Sequence, residues 1–367
     1  MTRIRDIANI LSSSTNMATD AEVTSAISAQ NMSGKNYLIN GGFDVWQRGT
    51  TWTGTPTANT VFYATSDRWF HAVGTGSFSS TFERVAAENS DSTYGIKFGR
   101  NSGAGNNAAP SIIGQAIESI NSKRLAGKTV TLSFYAKTLS SFGNSMQVYL
   151  ISGTGSDQSS QTIFGAGYTG ASVVFSPGQA ISATMTRYTF TGTVPSNANQ
   201  LAVMFALYVT PTTAGSNEYV QMENIQLEIG STATNFSRAG GDIQGELAKC
   251  QRYYQTSFDL GQTPAHNASY FGETTLSCVN GGFSTNSYGA ILFPVKMRTA
   301  PTVNIWNPRN ASATGNSAKF YSAGVAYDTS TIDMGNTTSS SHGMTFKSNN
   351  MGATAIVFFA YSASAEL

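Results

Sequence analysis

Charge is what this chain has least of. Only 11% of its 367 residues are Asp, Glu, Lys or Arg, against about 25% in ordinary soluble proteins. With 21 basic and 20 acidic residues the net charge is +1, and the only adjacent basic pair is Lys123-Arg124. No broad positive field exists to neutralise a phosphate backbone, so nucleic acid is excluded as the expected partner. Cysteine is nearly absent too. Cys250 and Cys278 are too few for a disulfide scaffold and lack metal-ligand spacing, and they are expected as two free, buried thiols rather than a bridge. The three histidines, His71, His266 and His342, are scattered and complete neither a metal set nor a catalytic motif. No run approaches the roughly 18 apolar residues of a membrane span, so no membrane insertion is expected. Met1-Thr-Arg-Ile-Arg-Asp6 lacks the apolar stretch of a secretory signal, which leaves a cytoplasmic protein or one that leaves its cell by another route.

What fills the vacancy is hydroxyl, glycine and aromatic ring. Ser and Thr together number about 90, Gly 36, and aromatics make up 11%. A helical enzyme leans on Ala, Leu, Glu, Lys and Arg, whereas this composition suits many short strands joined by turns. The clearest strand is Thr129 to Ala136, whose Val130, Leu132 and Phe134 share one face. Phe62-Tyr63, Arg68 to Phe70, Phe78 to Phe82, Ile96 to Phe98, Gln147 to Ile151, Ser172 to Phe175, Thr184 to Thr191, Leu201 to Val209 and Glu218 to Leu227 continue the pattern. Such even spacing predicts a mainly β protein with a jelly-roll β-sandwich.

Length allows two to three domains. Residues 1–35 carry apolar stripes at helical spacing, Ile4, Ile7, Ile10 and Leu11, then Val23, Ala26 and Ile27 behind the capping-box pattern Thr19-Asp20-Ala21-Glu22. Helices this short are marginal alone, so the stripes need either another subunit or assembly, or this chain's own next domain. Residues 36–237 form the sandwich. Residues 238–254 are a connector with a short helix from Glu246 to about Tyr254. Residues 255–367 form a smaller antiparallel β domain, with strands expected at Ala268 to Glu273, Gly289 to Lys296, Thr302 to Trp306, Phe320 to Tyr327, Met344 to Lys347 and Thr354 to Tyr361. The near-continuous apolar run from Ala355 to Tyr361 calls for cover on both faces, by its own sheet or by a neighbouring subunit.

Several segments, taken in order, carry a resemblance. Asn36-Tyr-Leu-Ile-Asn-Gly-Gly-Phe-Asp-Val-Trp-Gln-Arg-Gly49 resembles the opening strand of carbohydrate-binding-module-like jelly rolls in bacteriophage tail fibres and related virion proteins. Ser66 to Phe70 and Tyr219 to Gly230 look like later landmarks of that domain. Glu246 to Gln255 is similar to the connector that follows it, and Phe293 to Val303 and Ala363 to Leu367 resemble the C-terminal domain. The resemblance implies a structural virion protein without catalysis. It would be a homotrimeric tail fibre or appendage made in the host cytoplasm, joined to tail or baseplate proteins through residues 1–35. Its C-terminal domain would be the receptor-binding tip, meeting host surface glycan. Two other readings stand beside it: a glycan-degrading tailspike-type enzyme with an accessory binding module, and a purely structural joint or capsid decoration.

The resemblance requires no cofactor but implies a structural calcium between the first and last strands, which here matches Asp44, Glu223 and Asn224. Alternatively, Asp44 and Glu223 pair with Arg48 or Arg68. For sugar stacking, Trp46 and Trp69 are expected in the core. Trp52, in the turn-rich stretch Thr50 to Thr55, is the candidate exposed ring, joined in the distal domain by Tyr270 and Trp306. Tyr270 and Phe271 are strand neighbours on opposite faces, so one is core when the other faces out.

Overall fold

The computed structural model describes residues 34–76, 78–103, 109–139, 145–164, 167–208, 217–267, 273–279, 287–322, 325–329, 339–348 and 354–367. The helices expected within 1–35, and Tyr270 with Phe271, lie outside these residues, apart from residues 34 and 35.

Twelve described strands build the sandwich: β1 (Thr51–Gly54), β2 (Phe70–Val73), β3 (Ser80–Ala86), β4 (Tyr94–Arg100), β5 (Ser111–Ile117), β6 (Thr129–Thr138), β7 (Ser145–Gly153), β8 (Ser172–Phe175), β9 (Gly178–Ala180), β10 (Thr186–Thr193), β11 (Gln200–Leu207) and β12 (Glu218–Ile229). One sheet runs β1-β3-β4-β12-β6-β10. The other runs β2-β5-β11-β7-β8, with β9 also on β7. From β4 to β7, and again from β10 to β12, the chain crosses between sheets at every step, which is the jelly-roll way of wrapping one core.

That core follows the period-2 alternation. In β6, Val130, Leu132, Phe134 and Ala136 are fully buried against Phe205, Trp69 and Phe43. In β12 the inward set is Val220 and Met222, then Ile225 and Leu227. The change of parity is a β-bulge between Glu223 and Gln226, where Asn224 adopts φ 51°. Trp46 and Trp69 are core residues, as expected. Thr51–Gly54, expected as turn, is instead an edge strand that sets Trp52 opposite Phe82, because strand alternation turns Thr51 and Thr53 to solvent and Trp52 toward the sandwich. The second sheet is apolar on its outer face also: Phe70, Ala72, Ile112, Met204 and Ala206 cluster there.

The connector helix is Ile243–Gln251, three residues earlier at each end than expected. Asp242 caps it by accepting from the Gly245 amide at 2.7 Å, and Tyr254 has already entered a strand. The remaining strands are β13 (Tyr254–Thr256), β14 (Thr274–Val279), β15 (Ser287–Leu292), β16 (Thr302–Trp306), β17 (Ala318–Ser322), β18 (Val325–Thr329), β19 (Ser339–Ser340), β20 (Gly343–Ser348) and β21 (Thr354–Ser364). The strand expected over Phe320 to Tyr327 is a hairpin, β17 with β18. β21 pairs with β13, β14, β16 and β17, while β15, β20 and β19 form a separate small sheet. In β21, Val357, Phe359, Tyr361 and Ala363 are buried, whereas Ile356 stays 40% exposed.

The two β units meet along a polar seam. The Glu366 carboxylate lies between two guanidiniums, Arg48 at 2.8 Å and Arg68. Each guanidinium lies over a tyrosine ring, Arg48 on Tyr254 at 3.6 Å and Arg68 on Tyr253 at 3.5 Å. Gln47 Nε2 donates to the Tyr254 carbonyl, and Arg252 to Glu118. Cys250 is a buried free thiol, and burial raises its pKa well above the ordinary value.

Candidate functional site

The residues matched to a calcium site are engaged by donors of the protein itself. Both Asp44 oxygens accept from Arg238, Oδ2 from Nε at 2.7 Å and Oδ1 from Nη2 at 3.2 Å, and Arg238 also reaches the Asp91 carbonyl. The buried Glu223 accepts from the Glu88 amide and Gln221 side chain on one oxygen, and from the Asn89 amide and side chain on the other. Asn224 Oδ1 accepts from the Ser92 hydroxyl. Four donors fill the Glu223 carboxylate, and a guanidinium stands at Asp44. Among the described residues no group of three or more His, Cys, Asp or Glu side chains is placed to hold a metal ion. The expected pairing with Arg48 or Arg68 is corrected, since both arginines are drawn to Glu366 in the seam.

The three histidines stay apart. His71 is buried, its ring 4.2 Å from that of Phe82 and its Nε2 bonded to the Thr65 hydroxyl. Burial, helped by the Arg48 charge, lowers its pKa to about 3. His266 lies beside Trp306, and His342 sits in the turn between β19 and β20.

Two of the three proposed stacking residues come together across the seam. Trp52 and Trp306, about 250 residues apart in sequence, line one cleft of about 340 Å³ with Arg48, Tyr63, Tyr254 and Asn304. Trp52 is half-buried rather than free, its ring 4.7 Å from Phe62 and 5.9 Å from Phe82.

A larger groove, of about 520 Å³, lies on the outer face of the second sheet. Ile112, Met204 and Ala206 form its floor, Tyr149 and Tyr208 one wall, and Asn59, Thr75 and Pro110 the rim. Tyr149 comes from the middle of β7 and Tyr208 follows the neighbouring strand β11, and the two phenols reach each other along the groove by a hydrogen bond. Burial, then the hydrogen bond with Tyr208, pushes the Tyr149 pKa up to about 12. Tyr208 is 43% exposed, and among the described residues none of the lining side chains is an acid, Lys or Arg. An apolar floor with aromatic walls and hydroxyl or amide edges suits a neutral ligand with both C–H faces and hydroxyls. The sequence reading missed this groove, although one signal pointed to it. Met146, Val148 and Leu150 face inward, so alternation puts Tyr149 outward.

No protein-family model matches the chain, and no curated protein matches it. Among solved structures, it is similar to the enzymatically active domain of tailspike protein 4 from bacteriophage CBA120, with 12% identity over 53% of this chain and TM-score 0.29. The match spans only 22% of that solved chain. It is also similar to a putative sugar binding protein from Bacteroides thetaiotaomicron VPI-5482, with 12% identity over 53% of this chain and 100% of that one, TM-score 0.34. A third likeness is to a CBM4 structure, with 15% identity over 52% of this chain and 98% of that one, TM-score 0.29. At such identities and scores the likenesses carry no argument about activity.

Proposed function

We propose that this chain is a non-catalytic structural protein of a virion tail fibre or appendage, homotrimeric in the particle, which attaches to host surface glycan. The observation that carries glycan binding is the uncharged Tyr149–Tyr208 groove on the sandwich. Pyranose rings present C–H faces to aromatic rings and hydroxyls to amide and hydroxyl edges, and both partners are present there. The ordered sequence landmarks from Asn36 to Leu367 support the virion role. The low charge of the chain fits a contact made by stacking and hydrogen bonds, whose strength is insensitive to salt. Residues 1–35 are the proposed attachment end, contacting other tail or baseplate proteins.

The test is binding of the full chain to an array of bacterial surface polysaccharides, wild type against Y149A/Y208A. Retention by the wild type, little changed between about 0.05 and 0.5 M NaCl and lost in the double variant, is the expected result. Equal retention of both proteins would remove the groove from the proposal, and no retention of either would remove glycan binding. Appearance of new reducing ends during incubation would replace attachment by cleavage.

A further inference from the structure

The seam cleft adjoins a second, smaller cavity of about 230 Å³, lined by His266, Gly315 and Asn316 together with Trp306 and Asn304, which both cavities share. Trp306 therefore stands as a partition between two compartments. Its ring is held in place: Nε1 donates to the Ser362 hydroxyl at 3.2 Å, and the His266 ring lies 5.2 Å away, tilted by 59°. His266 is fixed in turn by accepting the Asn307 amide at Nδ1. The smaller cavity falls below the roughly 300 Å³ at which ligand pockets begin, and the cleft lies just above it. Neither compartment is large by itself, but both open on one aromatic ring and one side-chain amide.

The electrostatics define the class of occupant. The one guanidinium in the cleft wall, Arg48, is bound to Glu366 and lies flat on Tyr254, its side chain only 9% exposed. Among the described residues no carboxylate, Lys or other Arg lines either compartment, and the remaining polar groups are hydroxyls, amides, indole N–H groups and one imidazole. A uronate or other acidic sugar would find no free cation here, whereas a neutral sugar would find ring faces and neutral hydrogen-bonding partners.

We propose that the seam is a second carbohydrate site, separate from the sandwich groove, that takes a neutral oligosaccharide of at least two units with one unit on each side of Trp306. This rests on the glycan-binding reading above. It adds that the chain grips its ligand where the two β units meet, so that a site exists only when they are docked.

The experiment is calorimetric titration of the full chain with neutral gluco-, galacto- and manno-oligosaccharides of one to four units, and with uronic-acid chains of matched length. Wild type, W306A, N304A and Y149A/Y208A are compared. The expected result is a neutral series for which affinity rises from one to two units and falls about tenfold in W306A and in N304A, while Y149A/Y208A retains that dependence. N304A guards against W306A merely loosening β16. Binding unchanged in both W306A and N304A but lost in Y149A/Y208A would overturn the seam site and leave the groove standing. Stronger binding of the uronic-acid chains, or no binding of any neutral chain by the wild type, would also overturn it. Polysaccharide retention on the array, read separately, then decides whether the glycan-binding reading falls as well.

Discussion

Replacing Glu366 by glutamine should open the seam. Its carboxylate is 7% exposed and touches Arg48 and Arg68, which are 9% and 1% exposed. Glutamine keeps the shape and one acceptor but leaves two buried guanidiniums facing a neutral amide. Breaking a buried pair by removing one partner typically costs about 3–5 kcal/mol, because the surviving charge is stranded. Two features place E366Q toward the lower end. Both guanidiniums keep their tyrosine faces, and Arg68 Nη2 still donates to the Ala116 carbonyl at 2.8 Å. A loss of about 3 kcal/mol corresponds to roughly a hundredfold increase in local opening. Native-state hydrogen exchange reads this directly. The Ala365 amide, which donates to the Tyr253 carbonyl, and the β13 amides should lose about two orders of magnitude of protection, while β6 keeps its own. Uniform loss across β6 and β13 would show that the pair supports global stability rather than the seam. A loss of protection below about threefold would refute the reasoning. The triple variant R48M/R68M/E366M, with no stranded charge, should recover most of the protection.

Further outcomes follow from other buried groups. R238M should cost about 2 kcal/mol in urea unfolding, since Asp44, 5% exposed, is left short of donors. EDTA should leave the wild-type melting temperature unchanged, and a drop of several degrees would restore the case for a metal at Asp44. G114A should cost about 1–3 kcal/mol, because a Cβ there would stand 2.3 Å from Phe70 Cζ and 2.7 Å from the Val203 carbonyl oxygen, which cannot move aside. The pH response turns on two opposed groups. Burial pushes Asp67 up to about 7, against the Arg48 charge and the Gln47 donors, so its contribution to stability declines as pH rises from about 4 to 7. His71, lowered to about 3, contributes fully above about 6.5 and loses that contribution as pH falls. D67N should therefore melt at progressively lower temperature than the wild type as the pH drops from 6.5 to 4. Parallel curves would count against the opposition.

Local pattern carried the sandwich further than it carried the site. The alternation of Val130, Leu132 and Phe134 is a period-2 signal that needs no partner to be read. The bulge in β12 is also written in sequence, as the step from Met222 to Ile225 that breaks a two-residue rhythm. β5 gives no such signal because Ser111–Ile117 is buried on both faces, and strands of that kind show no alternation. The polar contacts resisted reading for a different reason. Asp44 finds Arg238 and Arg48 finds Glu366 across 194 and 318 residues, and only the folded arrangement selects among arginines of equal chemistry. Trp52 and Trp306 could be chosen one by one as aromatic residues in turn-rich or edge positions. That they face one cleft is a property of how two units dock.

The pairing of β21 has a consequence for the order of events on the ribosome. Its partners β13, β14, β16 and β17 are all made before it, with registers such as Tyr254 to Ser364 spanning more than a hundred residues. The sandwich has every strand it needs once Ile229 has emerged. The β17–β18 hairpin and the β15-β20-β19 sheet can close early, but β13, β14 and β16 must wait until residues 354–364 arrive, since non-local pairing is slow to close. Through that interval Arg48 and Arg68 have no Glu366 to meet. Synthesis thus produces a finished sandwich trailing an unsatisfied edge, and the hydroxyl-rich, charge-poor stretch behind it must stay soluble until its central strand arrives.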